Sequence, residues 1–287
     1  MKILIVCGPT ATGKTALAVQ LARKFNGELV SADSRQIYKG LDALTGKERS
    51  GDVPIWLYDI VEIGKLYSAH DFVSAAEVAI ANIQTRGKLP IVVGGTGFYL
   101  KALTAPIDTL SIPPNHALRK RLASFSLEEL QERLKHLDET RWEQMNDSDR
   151  KNPRRLIRAI EVAGAKKGNS LQQGVSLHNA TLWIGLTAKP QVLKERITQR
   201  VSERFHAALR EATKETAFLL GAPPLLLFQK GEISKAEALA AWAAKEYQYA
   251  KRQLTWFKKQ NGIRWFDITQ PLEDEVERMV ASWYTTR

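Results

Sequence analysis

Gly8-Pro9-Thr10-Ala11-Thr12-Gly13-Lys14-Thr15, directly behind the apolar run Ile3-Leu4-Ile5-Val6-Cys7, is the stretch on which the fold reading turns. It fits the phosphate-loop pattern G-x-x-x-x-G-K-[ST] without a mismatch and stands where that loop must stand, between a strand and a helix. Gly8 and Gly13 let the backbone curl so that successive N–H groups point into one concavity. Lys14 is placed to reach an outer phosphate, and the Thr15 hydroxyl to hold a hydrated Mg²⁺. The helix predicted over 14–25 aims its positive end at the same anion. A glycine-rich turn matching by chance would not come with this strand before it and Ala16-Leu17-Ala18-Val19-Gln20-Leu21-Ala22 after it. Every residue from Gly8 to Thr15 is therefore a candidate for binding a polyphosphate.

Outward from the loop, strand and helix alternate over the first hundred residues. Glu28-Leu29-Val30-Ser31-Ala32 reads as a second strand ending at Asp33-Ser34, and Ile55-Trp56-Leu57-Tyr58-Asp59-Ile60 as a third. Ser68 is predicted to cap a helix reaching Arg86. Gly87-Lys88-Leu89-Pro90 reads as a turn before a buried strand, Ile91-Val92-Val93, that ends in Gly94-Gly95-Thr96-Gly97. Continuous apolar strands alternating with helices mean a parallel sheet covered on both faces, with the ligand beyond the carboxyl ends of the strands.

From Ile112 the patterns become helical. Pro113-Pro114 marks the break, Ser126 and Glu129 form a capping box, and Asn152-Pro153 opens a helix predicted to reach Lys167. The polar stretch from Gly168 to Asn179 reads as a linker, and Thr181-Leu182-Trp183-Ile184-Gly185-Leu186 restores a strand. The expected architecture is α/β: a P-loop NTPase-like parallel core over 1–111 and 177–287, with a helical insertion over 112–176. Two long helices, near 189–218 and 234–260, a strand at 263–266 and a helix from about Leu272 complete the core.

Composition bounds the partners. The 287 residues carry 42 Lys+Arg against 31 Asp+Glu, a net charge of +11 that suits a polyanionic partner as well as a merely basic surface. Cys7 is the single cysteine, so no intrachain disulfide forms and no cysteine cluster can hold zinc. No apolar run approaches membrane-spanning length, and the first strand starts at once after Met1-Lys2. A soluble cytoplasmic protein with no membrane partner is expected.

Several residues admit two readings. Asp33, after the second strand, is either a general base facing the phosphate loop or an Asx-turn residue. The Thr96 hydroxyl either donates to a leaving-group oxygen or caps the helix that follows. Arg154, Arg155 and Arg158 share one helix with the apolar Leu156, Ile157 and Ile160; the arginines suit a phosphodiester backbone or form a solvated face. Trp242, Tyr249 and Trp256 recur every seven residues beside Lys245, Arg252 and Lys259, either core-facing or stacked on bases. Arg200, with Arg196 one turn earlier, would neutralise a pyrophosphate group at the loop, or else serve a surface ion pair.

Taken together, the segments at 8–15, 31–42, 67–72, 94–103, 154–162 and 249–257 closely resemble tRNA dimethylallyltransferases. The order of segments is the family's, over nearly the whole chain. The resemblance implies that the loop holds the diphosphate of dimethylallyl diphosphate, with Mg²⁺ on Thr15, and that the acceptor is N6 of the adenosine 3′ to a tRNA anticodon. It implies Asp33 as base, with Lys14, Thr96 and Arg200 stabilising the departing diphosphate. Asp33, Ser34, Arg35, Gln36, Thr96, Arg119, Arg154, Arg155, Leu156, Ile157 and Arg158 would touch the tRNA. The acting unit is expected to be a monomer.

This chain also departs from the family pattern. A His-His-Leu is usual near Ile55-Trp56-Leu57, and Ala43-Leu44-Thr45-Gly46-Lys47-Glu48 only loosely follows the usual Gly-Thr-Ala-Lys-Pro. The Gly-Tyr segment between the long helices is replaced by Gly221-Ala222-Pro223-Pro224-Leu225. The rival reading is a small-molecule kinase using ATP, for which only Asp59 could serve as the metal-holding acid.

Overall fold

A computed structural model of the chain describes residues 2–105, 107, 109, 110, 112–166 and 181–285. The elements run β1 (Ile3–Cys7), α1 (Lys14–Lys24), β2 (Gly27–Ser31), α2 (Asp42–Thr45), β3 (Ile55–Trp56), α3 (Ala69–Thr85), β4 (Leu89–Gly94) and α4 (Gly97–Thr104). Then come α5 (His116–Leu122), α6 (Leu127–Leu137), α7 (Glu139–Gln144), α8 (Asp147–Arg150) and α9 (Pro153–Lys166). The chain closes with β5 (Thr181–Thr187), α10 (Pro190–Glu211), α11 (Ala222–Gln229), α12 (Lys235–Phe257), β6 (Ile263–Asp267) and α13 (Glu273–Thr285).

Among the described residues, six strands form one sheet in the order β3-β2-β4-β1-β5-β6, and every adjacent pair is parallel. The pleat divides β1 between two cores. Leu4 and Val6 pack with Leu17 and Leu21 of α1 and Val276 and Val280 of α13. Ile3, Ile5 and Cys7 pack with Phe72 and Ile80 of α3, Leu100 of α4 and Phe257 of α12. A strand buried on both faces has no polar side to alternate with, which is why these strands read as unbroken apolar runs. The α/β core with helices on both faces is as expected.

Two compact units divide the chain, Met1–Ala105 with Leu177–Arg287, and Pro106–Ser176. The first break thus falls at 105/106, where the sequence reading put it at 111/112. The linker expected over 168–179 lies outside the described residues.

Local differences from expectation have physical causes. β3 stops at Trp56 instead of Ile60, because Leu57 (φ 69°) and Asp59 (φ 57°) enter the left-handed region and end the ladder. Leu89 and Pro90 belong to β4 and not to a turn. The first long helix ends at Glu211: buried Thr216 accepts from the Thr213 N–H (2.9 Å) and donates to the Glu211 and Thr213 carbonyls, turning the chain. The short α11 that follows was not anticipated, although Pro223 and Pro224 sit in its first turn, where a missing N–H costs nothing.

In the insertion unit, α6 and α9 enclose a core of Leu122, Leu130, Leu134, Met145, Leu156, Ala159 and Ile160. Beside it Glu161, 3% exposed, accepts from the Asn115 N–H, from Arg119 Nε (2.9 Å) and Nη2 (2.8 Å), and from Arg158. Arg158 also donates to the carbonyls of Thr109 (2.7 Å) and Ile112 (2.9 Å). Although burial opposes ionisation of Glu161, these donors together hold its carboxyl down at about 2, from an ordinary 4.5. The stabilisation from the ionised form is therefore complete above about pH 4.5 and is lost as pH falls toward 2. Glu161→Gln is expected to cost about 3 kcal/mol at pH 7 in urea denaturation, and much less at pH 3. An equal loss at both pH values would remove the buried charge cluster from this account.

Candidate active site at the phosphate loop

The loop takes its shape from backbone conformations that few residues tolerate. Gly8 (φ 133°) approaches β5 so closely that a Cβ would stand 2.3 Å from the Leu186 carbonyl oxygen. Gly13 (φ 79°) and Ala11 (φ 65°) make the second bend, and the Thr12 hydroxyl donates to the Pro9 carbonyl at 2.9 Å. Gln253 of α12 clamps the rim: its side-chain oxygen accepts from the Thr10 N–H (2.9 Å) and its amide donates to the Gly95 carbonyl (2.9 Å). A Cβ on Gly95 would stand 2.2 Å from that amide nitrogen, so the glycine admits the clamp.

One cleft is lined by Thr10, Ala11, Gly13, Lys14 and Thr15 of the loop, Asp33 and Gln36 after β2, Thr45 at the end of α2 and Glu48 beyond it, Tyr58, Val93, Gly94 and Gly95, Arg200 and Gln253. Lys14, Asp33 and Arg200 are thus brought together from three parts of the chain. Lys14 Nζ donates to the Pro9 carbonyl at 2.7 Å. Enclosure, and then the nearby Arg200 charge, bring its ammonium down to about 8. Arg200 donates to Thr10 Oγ1 (2.8 Å) and to the Gly46 carbonyl (2.8 Å), with Glu48 3.5 Å away. Arg196 is exposed and lines a separate cavity beside Gly13, Ala16 and Gln20.

The Asx-turn reading of Asp33 holds, and the residue also lines the cleft. Its Oδ1 accepts from the Arg35 N–H at 2.9 Å, an Asx turn, and its carboxylate lines the cleft. Thr96 stands at the N-cap of α4 without making a cap bond. Its oxygen accepts from the Ser34 N–H (2.9 Å) and its hydroxyl donates to Ser34 Oγ (3.3 Å), so it holds the Asp33-Ser34 turn. Burial pushes the Tyr58 phenol up, and the Asp33 and Glu48 charges add to the shift. Burial likewise pushes the Cys7 thiol up to about 12, which leaves it unreactive beside the loop.

The aromatic stripe is mostly core. Trp242 is fully buried and donates to Glu246 (2.9 Å), and Trp256 packs where a Cβ on Gly97 would stand 2.1 Å from its ring. Tyr249 differs: the guanidinium of Arg35 lies 4.0 Å from its ring centroid, and that of Arg252 lies 5.7 Å away. Arg252 and Lys259 are exposed, whereas Lys245 is half-buried.

The six positions assigned to RNA contact in the insertion separate. Arg154 and Arg155 are exposed, Arg155 being paired with Asp149. Leu156 is 0% exposed and Ile157 packs against the same core, so Leu156 offers no side chain to an outside partner. Arg119 and Arg158 brace Glu161. Gln253, Tyr58 and Glu48 were missed as lining residues. Gln253 stands within one of the family-like segments and Glu48 in a stretch that loosely follows the family pattern, whereas Tyr58 reaches the cleft through a turn that no periodicity announces.

The family model described as IPP transferase matches residues 36–260, and a second, described as isopentenyl transferase, matches residues 1–54. The chain is 37% identical to the tRNA dimethylallyltransferase of Limosilactobacillus fermentum, covering 98% of each chain. It is 35% identical to the tRNA dimethylallyltransferase of Anoxybacillus flavithermus, over 93% of this chain and 91% of the relative. Among solved structures, the full-length tRNA isopentenylpyrophosphate transferase of Bacillus halodurans superposes with a TM-score of 0.71 at 30% identity, covering 98% of this chain and 96% of that one. A eukaryotic dimethylallyltransferase described as acting on tRNA superposes with a TM-score of 0.80 at 26% identity, covering 98% and 78%. The resemblance read from the sequence segments is borne out.

Proposed function

This chain belongs to the IPP transferase family and is a transferase; from that premise we propose that it moves a dimethylallyl group from dimethylallyl diphosphate to N6 of the adenosine on the 3′ side of a tRNA anticodon, releasing diphosphate. The observation that carries the reading is the lining of one cleft by Lys14, Arg200 and the loop amides together with the Asp33 carboxylate. The exocyclic amine of adenine is a poor nucleophile, since its lone pair is delocalised into the ring. Asp33 takes its proton as the C–N bond forms at the allylic carbon and the C–O bond to diphosphate breaks. Charge grows on the departing diphosphate, where Lys14, Arg200 and the main-chain N–H groups of Gly13 to Thr15 face it without having to reorganise.

Thr15 lines the same cleft, and its hydroxyl, with the hard oxygens of a diphosphate, fits a Mg²⁺ that keeps much of its water. Bound there, Mg²⁺ supplies charge neutralisation to the leaving group. Thr96 positions the Asp33-Ser34 turn. The acceptor adenine must leave its stack to reach the cleft. Arg35 and Gln36 beside Asp33, and Arg154 and Arg155 on α9, are the groups that hold the RNA, with tRNA placing the enzyme in the cytoplasm. The kinase alternative loses its candidate acid: Asp59 is tied to Lys47 (2.6 Å) and Arg49 (2.6 Å) and does not line the cleft.

Incubation with labelled dimethylallyl diphosphate and unmodified tRNA is expected to put label into tRNA. A parallel reaction with ATP and a metabolite mixture is expected to leave ATP intact, and the reverse pattern would overturn the reading. Arg154→Ala is expected to weaken tRNA binding and to lower the salt slope of log affinity by about one, as loss of a phosphate contact does. An unchanged slope would remove Arg154 from the RNA face.

A further inference from the structure

Lys47 lies outside the cleft and has no part in the chemistry above, yet its side chain is 0% exposed. Its ammonium donates to Asp42 Oδ1 (3.0 Å), to Asp59 Oδ1 (2.6 Å) and to the Tyr38 carbonyl (2.6 Å). Arg49, half-exposed, clasps the same two carboxylates from the solvent side, at 2.8 and 3.0 Å on Asp42 and 2.6 Å on Asp59. The three partners of Lys47 come from three segments, and each segment sends a neighbouring residue into the cleft. Tyr38 follows Gln36, Asp42 opens the helix that leads to Thr45, and Asp59 follows Tyr58.

The adjacent peptide makes the connection to the phosphate site. The Gly46 carbonyl accepts from Arg200 Nη2 (2.8 Å) and from Gln36 Nε2 (3.1 Å). A Cβ on Gly46 would stand 2.4 Å from an Arg200 nitrogen and 2.5 Å from an Arg204 nitrogen, so two guanidinium groups press on this turn. The opposite side is held by α10 itself. Glu211 accepts from the Ala43 and Leu44 N–H groups (2.9 and 2.7 Å), and Arg204 donates to the Ala43 carbonyl (2.8 Å). The 42–48 segment is thus stretched between a rigid helix and one buried ammonium.

We propose that Lys47 is a positioning residue for diphosphate: keyed to Asp42, Asp59 and the Tyr38 carbonyl, it fixes the Gly46 carbonyl that aims Arg200 across the phosphate loop. Without the ammonium, Asp42 and Asp59 face each other with only the solvent-side Arg49 between them, and like charges in a partly buried site push apart. The Gly46 carbonyl moves with them, and Arg200 loses one of its two hydrogen-bond anchors. The inference rests on the diphosphate reading of the cleft and adds to it a residue that never touches the ligand.

The test uses inorganic pyrophosphate binding by calorimetry, with the four proteins of a double-mutant cycle: wild type, Lys47→Met, Arg200→Gln and both together. Lys47→Met alone is expected to weaken pyrophosphate binding about tenfold, the scale of one displaced charge-assisted hydrogen bond. In the Arg200→Gln background the same change is expected to alter it by less than about twofold, because the group through which it acts is gone. Equal effects in both backgrounds would show a general structural role and overturn the proposal. Asp59→Asn, nearly isosteric, repeats the cycle should Lys47→Met not fold, with the same expected non-additivity. Wild-type protein that fails to bind pyrophosphate would sink the diphosphate reading of the cleft itself. Binding with full additivity would sink only the role of Lys47.

Discussion

Asp33→Asn is expected to slow prenyl transfer by about a thousandfold, within the range a positioned general base contributes, while pyrophosphate affinity stays within about twofold of wild type. Asparagine is the informative replacement because the proposed mechanism adds a proton transfer to the turn that Asp33 already holds. Its Oδ1 accepts from the Arg35 N–H at 2.9 Å, and an amide oxygen accepts that bond equally well. The turn, with the Ser34 N–H held on Thr96 Oγ1, therefore survives the change. What the amide cannot do is take a proton from adenine N6 in the transition state. Alanine would remove the turn bond as well and mix the two effects. Single-turnover rates with saturating substrates isolate the chemical step, and a rate near wild type in Asp33→Asn would mean that another group removes the proton. A large loss of pyrophosphate affinity in the same variant would mean instead that the turn collapsed and that the carboxylate's role was structural.

Lys14→Met is expected to lower kcat/KM by about a hundredfold or more, since it deletes a preorganised charge at the point where diphosphate oxygens become more negative. The pH dependence gives this prediction a second, independent readout. In the free protein the Lys14 ammonium titrates at about 8, below the ordinary 10.5, because enclosure and Arg200 disfavour its charge. A bound diphosphate favours the charged form, so above about pH 8 binding must be accompanied by proton uptake. Affinity is therefore full below pH 8 and declines above it, with a slope approaching one power of ten per pH unit. Lys14→Met lacks that inflection. The ligand's own ionisation is common to both proteins and cancels in the comparison. Parallel pH profiles for the two proteins would remove Lys14 from diphosphate binding.

The same depression of charge explains why the cleft needs a carefully held Arg200. Two cations share one site, and Arg200 brings a planar fork of donors where Lys14 brings a compact point charge. Arg200 is fixed by Thr10 Oγ1 and the Gly46 carbonyl, while Arg204 one turn along is buried against Glu246 (3.0 Å) and the Trp242 ring (5.2 Å). Removing either anchor of Arg200 frees a long side chain, whose ordering must then be met from the binding energy of the ligand.

What the sequence determined by itself were the features that obey local rules. Gly8 to Thr15 could be read because its chemistry is contiguous: a strand, two glycines at fixed spacing and a helix start. The capping box at Ser126 and the cap at Ser68 form as hydrogen-bonded pairs because each involves only residues three apart. The parallel sheet followed from unbroken apolar strands, since burial on both faces leaves no other pattern. The ending of α10 at Glu211 and the left-handed turns at Leu57 and Asp59 escaped, being set by particular hydrogen bonds and dihedral choices that leave no period.

Only the tertiary structure decided which charged residues face a ligand and which brace the fold. Arg154 and Arg158 read alike in one helix, yet one is exposed and the other is tied to Glu161 and two backbone carbonyls. Lys14 and Lys47 are both enclosed lysines, but the first lines a cleft and the second closes on two carboxylates. A guanidinium or ammonium carries the same charge wherever it stands. Its role follows from the partners that distant segments bring within about 3 Å, a distance scale on which charge-assisted bonds are decided and to which sequence spacing is blind.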